Sequence, residues 1–302
     1  MKQLLLFVIG LVIFLKGISL MSKSLEYLAI KKIRALLNQL TDSMFKAICF
    51  GIAASVILHS SSTLTILVIT FVSSGHMKLK NATMVIMGAN VGTTLSAGLF
   101  FIDLNLYVYV LFIIGCVLFI KNRYAGQTLI GLSMLLIGLN IMQSSLSYYK
   151  NDVLLMNVLS RNDHPILLVF IGVIVCSVIQ SSSACMAILL SFSKSGLITF
   201  FQGAYLLYGF DIGTCLDTSL ASITSNKEGR KVAIFHLLFN ITGTLLFTLI
   251  SLLTPFLSLF QIMDVNLSML FTLLHTVMNI MTLVLFGCIN DYIIKLLNKY
   301  VC

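Results

Sequence analysis

The chain has 302 residues, of which 59% are hydrophobic and only 10% charged, and its mean hydropathy is +1.05. That balance excludes a water-soluble domain. Repeated apolar runs near the roughly 20 residues of a spanning helix, with two prolines and no tryptophan, point to membrane helices rather than barrel strands. The net charge of +9 does not point to nucleic acid, because the basic residues lie in short stretches beside apolar runs, where they orient a membrane protein.

The first apolar run, Gln3 to Ser22, opens like a secretory signal, with Lys2 ahead of Leu4 to Leu15. Its pattern recurs at Gly131 to Leu146, so it is expected to stay in the fold. Lys16, inside this run, is expected to snorkel toward the cytoplasmic end. Four basic clusters should share the cytoplasmic side: Lys23 with Lys31, Lys32, Arg34 and Lys46; Lys78 with Lys80; Lys121 with Arg123; and Lys227 with Arg230 and Lys231. Asp103, Asp264 and the mixed stretch from Tyr148 to His164 mark the outer side.

This charge map makes Phe45 to Ser74 begin and end on one side, which requires a re-entrant hairpin turning at His59 to Ser62. Residues 81–101 then cross outward and 104–120 return. A second copy crosses from Tyr124 to Leu146, enters as a hairpin from the opposite face at Ile166 to Ser195, and crosses at 199–223 and 232–253. Ser268 to Cys288 is a last crossing, leaving Lys295 and Lys299 in the cytoplasm.

The two copies keep one register. Ser60 and Ser181 are 121 residues apart (181 − 60), and the same offset carries Gly10 to Gly131, Gly17 to Gly138, Gly51 to Gly172, Gly75 to Gly196, Gly88 to Gly209, Gly92 to Gly213 and Thr93 to Thr214. A constant offset over half the chain means duplication. Three crossings and one hairpin form an odd unit, so its copy is inverted. The expected fold is an all-α polytopic membrane protein of about seven crossings and two hairpins. Residues 1–120 form one repeat, 121–255 the other, and 256–302 a final span and tail.

Each copy carries two polar words in apolar surroundings. His59-Ser60-Ser61-Ser62 and Gln180-Ser181-Ser182-Ser183 fall where a half-helix should begin, with unpaired amides and the positive end of a helix dipole. Two such ends converging near the midplane, among six hydroxyls, suit a small oxyanion such as phosphate. Gly88-Ala89-Asn90-Val91-Gly92-Thr93-Thr94 and Gly209-Phe210-Asp211-Ile212-Gly213-Thr214-Cys215 are expected to unwind between their glycines. The released carbonyls, with Asn, Asp and Thr oxygens, suit a hard cation such as sodium. The cysteines show no metal-binding or CxxC spacing and read as small apolar filler. The pairs His236/Asn240 and His275/Asn279, each four residues apart, read as helix-to-helix contacts.

These words carry a family resemblance. From about residue 4 to 288 the chain resembles the type II sodium/phosphate cotransporters, whose copies each bear a Gln-Ser-Ser-Ser hairpin and a Gly-Ala-Asn-Ile-Gly-Thr-Thr segment. Gly131 to Gly138 is similar to that family's glycine-spaced first helix, and Arg230 to Asn240 to its penultimate one. His59 stands for a Gln, Asp211 for an Asn, Cys215 for a Thr and Asp217 for a Thr. The resemblance is to the short bacterial form without a C-terminal regulatory domain.

It implies a phosphate site of Ser60, Ser61, Ser62, Ser181, Ser182, Ser183, Asn90 and Thr93. Sodium would be held by His59, Thr94, Gln180, Asp211, Thr214 and Asp217. The resulting expectation is sodium-coupled phosphate transport by alternating access in the cell membrane, with the N-terminus outside and the C-terminus cytoplasmic. Sodium is expected as the coupling ion, and no cofactor is expected. Proton coupling, another oxyanion or export by the same fold are the alternatives. An intramembrane serine hydrolase is disfavoured, because His59 and Ser60 are adjacent, no GxSxG elbow is present and the second copy lacks the His. A signalling scaffold without transport is the remaining alternative class.

Topology is testable directly. In a background without native thiols, Lys78→Cys should react with an impermeant thiol reagent only from the cytoplasm and Asp163→Cys only from outside. Reaction of both from one face would overturn the inverted arrangement.

Overall fold

The computed structural model describes residues 2–39, 43–96, 107–151 and 164–301. Among them the first half holds α1 (Lys2–Gln39), α2 (Met44–Leu58), α3 (Ser61–Ser73), α4 (Leu79–Ser96), α5 (Tyr107–Lys121) and α6 (Arg123–Ser147). A 3-10 turn, Tyr148–Asn151, follows. Then come α7 (Pro165–Ile179), α8 (Ser182–Lys194), α9 (Phe200–Ile223), α10 (Lys227–Leu253), α11 (Phe256–Gln261) and α12 (Leu267–Tyr300).

Capping chemistry sets the helix starts. Ser43, Asn122, Asn226 and Asn266 each accept a first-turn backbone N–H, opening α2, α6, α10 and α12. Thr199 and Gln202 form a reciprocal capping box at α9, and Pro165 opens α7 where its missing N–H has no helical acceptor to lose.

Duplication is written into these boundaries. The first and last residues of α2 and α3 recur, at the offset already noted, as those of α7 and α8, and α4 and α9 start in the same register. The turns that end the short helices repeat too: Gly75 and Gly196 both adopt φ of 75°.

α1 lies against α6 through backbone contact. A methyl group on Gly10 would meet the Gly138 carbonyl oxygen at 2.9 Å, and one on Gly138 would meet that of Gly10 at 2.6 Å. Gly17 and Gly131 face each other in the same way. Residue number rises along α1 as it falls along α6, so the pair is antiparallel. Each glycine also faces the repeat mate of the other, which is the contact pattern of a two-fold axis.

Among the described residues four helices, α1, α6, α10 and α12, are long and apolar enough to cross a membrane, and α2, α3, α5, α7 and α8 are shorter apolar helices. Two expected crossings fall on α4 and α9, which are largely buried and carry Asn90 and Asp211 inward; a helix enclosed by helices needs no apolar coat. The polarity is turned outside in, with Asp211, His236 and Asn240 buried while Ile166, Val178 and Leu253 are exposed. Lys16 also lies exposed on α1.

Three expectations change. The first span does not end at Ser22: α1 runs to Gln39 with Lys23, Lys31, Lys32 and Arg34 on it, because Ile33 and Leu37 continue its apolar stripe into the core. The last helix likewise extends past Cys288 and carries Lys295 and Lys299.

Most important, the chain does not unwind at Gly88–Gly92 or Gly209–Gly213, since α4 and α9 are helical throughout. Those glycines let a neighbouring backbone approach instead. Gly88 and Gly92 seat against Ile48 and Ile52 of α2, and Gly209 and Gly213 against Val169 and Val173 of α7. Asp103 and most of the Tyr148 to His164 stretch, Asp163 included, lie outside the described residues.

Gly138→Ala should therefore destabilise the protein by about 1–3 kcal/mol through forced separation of α1 and α6. Gly287, with nothing within 4 Å of an added methyl group, is the control. Gly287→Ala should be neutral or stabilising by up to about 1 kcal/mol. Thermal unfolding of the two variants in detergent checks the pair.

Candidate functional site

Two helix breaks build the site. His59 and Gln180 sit in the left-handed region, with φ of 52° and 58°, and no other non-glycine among the described residues does. Such strain costs about 1–3 kcal/mol per residue and persists only where surrounding packing holds it. Each break turns the chain so that the next helix starts afresh. Ser60 Oγ accepts Thr63 N–H at 3.1 Å to cap α3, and Ser181 Oγ accepts Ala184 N–H at 3.2 Å to cap α8. The amides of Ser61, Ser62, Ser182 and Ser183 occupy first-turn positions that have no acceptor within their own helix.

Both breaks open into one cavity of about 660 Å³. His59, Ser60 and Ser62 line it from the first copy, and Gln180 and Ser181 from the second. Asp217 of α9 lines it as well, hydrogen-bonded to the Ser62 hydroxyl. One face of α1 lines it too, with Ser19, Ser22, Lys23 and Glu26. Lys23 and Glu26 escape a sequence reading because they look like loop charges, whereas three- and four-residue spacing on a helix puts them beside Ser19 and Ser22.

Other expected residues lie elsewhere. Ser61, Ser182 and Ser183 belong to the two tips but are not among the lining side chains; Ser61 and Ser183 are buried. Asn90 and Thr93 are buried in α4, where Thr93 Oγ1 lies 2.9 Å from Ser55 Oγ and Asn90 Nδ2 donates to the Ile86 carbonyl. Thr94 is bonded at 3.0 Å by the Thr276 hydroxyl of α12, and Thr214 donates to the Asp211 carbonyl.

Asp211 is the centre of a second, buried constellation. Its Oδ1 accepts from His275 Nε2 at 2.8 Å and its Oδ2 from Asn279 Nδ2 at 3.1 Å, both on α12. Asn240 of α10 donates to the Asp211 carbonyl at 2.9 Å. The Thr218 hydroxyl donates to the Cys215 carbonyl, so it accepts from His236 Nδ1, which leaves Nε2 to accept from Asn240. The two His/Asn pairs thus fasten α10 and α12 to the polar centre of α9.

Comparison with known proteins bears on this arrangement. The profile described as Na+/Pi-cotransporter matches the chain twice, over residues 13–144 and 150–284. The chain belongs to the Na+/Pi-cotransporter family. It is accordingly a membrane transport protein and not an enzyme. The Bacillus subtilis (strain 168) relative, "Uncharacterized protein YqeW", is 32% identical over 254 residues, which cover 81% of this chain and 80% of that protein. An Escherichia coli (strain K12) relative carries the name "Putative inorganic phosphate export protein YjbB". It is 27% identical over 221 residues, 71% of this chain and 41% of its own length, so this cotransporter-family chain matches under half of that relative. No solved structure matches the chain.

Asp211→Ala would leave the His275 and Asn279 donors buried without an acceptor. It should destabilise this family member by about 3 kcal/mol, whereas Asp211→Asn, which keeps one acceptor, should lose less. Denaturation midpoints of the two variants in detergent give the comparison.

Proposed function

We propose that the chain carries inorganic phosphate across the membrane through the serine cavity, coupled to sodium, by alternating access between inverted halves. One observation carries this reading: two duplicated helix N-termini, capped by Ser60 and Ser181, meet in a single cavity. Amides at such ends favour an anion, and the hydroxyls of Ser60 and Ser181, which accept at their caps, keep their protons to donate on the same side. The family name and the name of the Escherichia coli relative support phosphate as that anion.

Sodium enters through the carboxylate. Asp217 places negative charge beside the anion site, an arrangement that repels phosphate until a cation is bound. His59 and Gln180 line the same space and complete a cavity set of sodium ligands. Asp211, Thr94 and Thr214 would add sodium ligands from α4 and α9, away from the tips, with Asp211 exchanging a present donor for the cation. Binding cation and anion together neutralises the cavity, and that linkage is the basis of coupling.

The antiparallel contact of α1 with α6 supports inversion, because helices related by an in-plane two-fold run in opposite senses. The cytoplasm then lies at the Lys23 end of α1, with the N-terminus outside and the C-terminus inside. Outward net flux is the second reading, favoured by the export wording attached to the Escherichia coli relative.

Proteoliposomes test the proposal. The purified protein should move radiolabelled phosphate when a sodium gradient is imposed, arsenate should compete better than sulfate, and a proton gradient alone should be weaker. Ser60→Ala and Ser181→Ala should each raise KM about tenfold, the loss of one hydrogen bond to a charged ligand. Asp217→Asn should reduce the dependence of flux on sodium. Phosphate flux insensitive to all three substitutions would move the pathway away from this cavity.

A further inference from the structure

The serine cavity carries three formal charges, Lys23, Glu26 and Asp217. The repeat offset maps these three onto Ser144, Ser147 and Ser96, so every charged side chain on the wall corresponds to a neutral hydroxyl in the other copy. The corresponding face of α6 is not idle. Asn140 and Ser144, the mates of Ser19 and Lys23, line a separate cavity of about 490 Å³ with Gln3 and Tyr109. Because α1 and α6 are antiparallel, this second cavity lies toward the other end of the helix pair, and neither serine tip is among its lining residues.

We infer that Lys23 is a specificity-determining residue that makes substrate access electrically one-sided. In the access state seen here, the anion approaches the serine tips past an exposed ammonium on α1; in the opposite state, α6 presents Asn140 and Ser144, and no cation lines that cavity among the described residues. Lys23 enters no ion pair among the described residues, and Glu26, one turn away, is the acid that competes with an incoming anion for it. Exchange of the two cavities by alternating access therefore moves phosphate between a charged vestibule and an uncharged one. The inference rests on the phosphate-transport reading.

The test is sided phosphate flux in right-side-out and inside-out vesicles. Lys23→Ser, which copies the opposite wall, should raise the phosphate KM about fivefold from the cytoplasmic side, the scale of one unit charge near 4 Å in water. The KM from the outer side should stay unchanged. Glu26→Gln should shift the cytoplasmic KM in the opposite direction, an outcome that general damage to the fold would not produce. Both shifts should shrink as ionic strength rises, because exposed charges are screened. Ser144→Lys should lower the KM from the outer side.

A cytoplasmic KM unmoved by Lys23→Ser, or moved equally from both faces, overturns the inference while leaving phosphate transport standing. If the parent protein moves no phosphate in either vesicle type, the transport reading fails and this inference falls with it.

Discussion

The structure depends on backbone touching backbone where a broken helix lies along an unbroken one. α2 rests on α4 and α7 on α9 at glycines that leave no room for a methyl group. The breaks at His59 and Gln180 interrupt helical hydrogen bonding, and an adjacent continuous helix supports each of the broken pairs. Close seating holds each break at a set depth, and the α1–α6 contact then places the two supported units so that their tips share a cavity. Glycines outside the cavity wall thus decide where the residues that line it sit.

This division explains how far the sequence could be read. Duplication, the ends of the short helices and the serine caps are legible because they are local: Ser60 caps the helix it begins, and the left-handed turns sit one residue before each cap. The glycine-spaced segments were ambiguous in principle. Two glycines four apart serve equally to loosen a helix or to admit a neighbour, and only the partner helix decides between them. Here Ile48 and Val169, far away in sequence, make them packing surfaces. Asp211 is similar: a carboxylate in an apolar span demands compensation, but its donors, His275 and Asn279, come from a helix outside both repeats. The charge pattern hid the contribution of Lys23 and Glu26, since a basic cluster was read as the end of a helix that in fact continues.

The two halves have diverged where they meet different neighbours. Thr94 and Cys215 occupy matching places, but Thr94 is bonded by Thr276 of α12, whereas Cys215 accepts from Asn240 of α10. Asn90 donates within its own helix, while its mate Asp211 gathers donors from two others. The amino-acid differences between the copies therefore follow tertiary surroundings and are not evenly spread.

α12 has no partner in the repeat, yet it belongs to both apolar cores: Phe271, Leu274 and Met278 join the cluster around α7 to α9, and Phe286, Ile293 and Leu297 the one around α2 to α4. Its adjacent residues His275 and Thr276 grip one half each, through Asp211 and Thr94. A single unduplicated strut clasping two related bodies removes their equivalence, because it holds one through a buried carboxylate and the other through a hydroxyl.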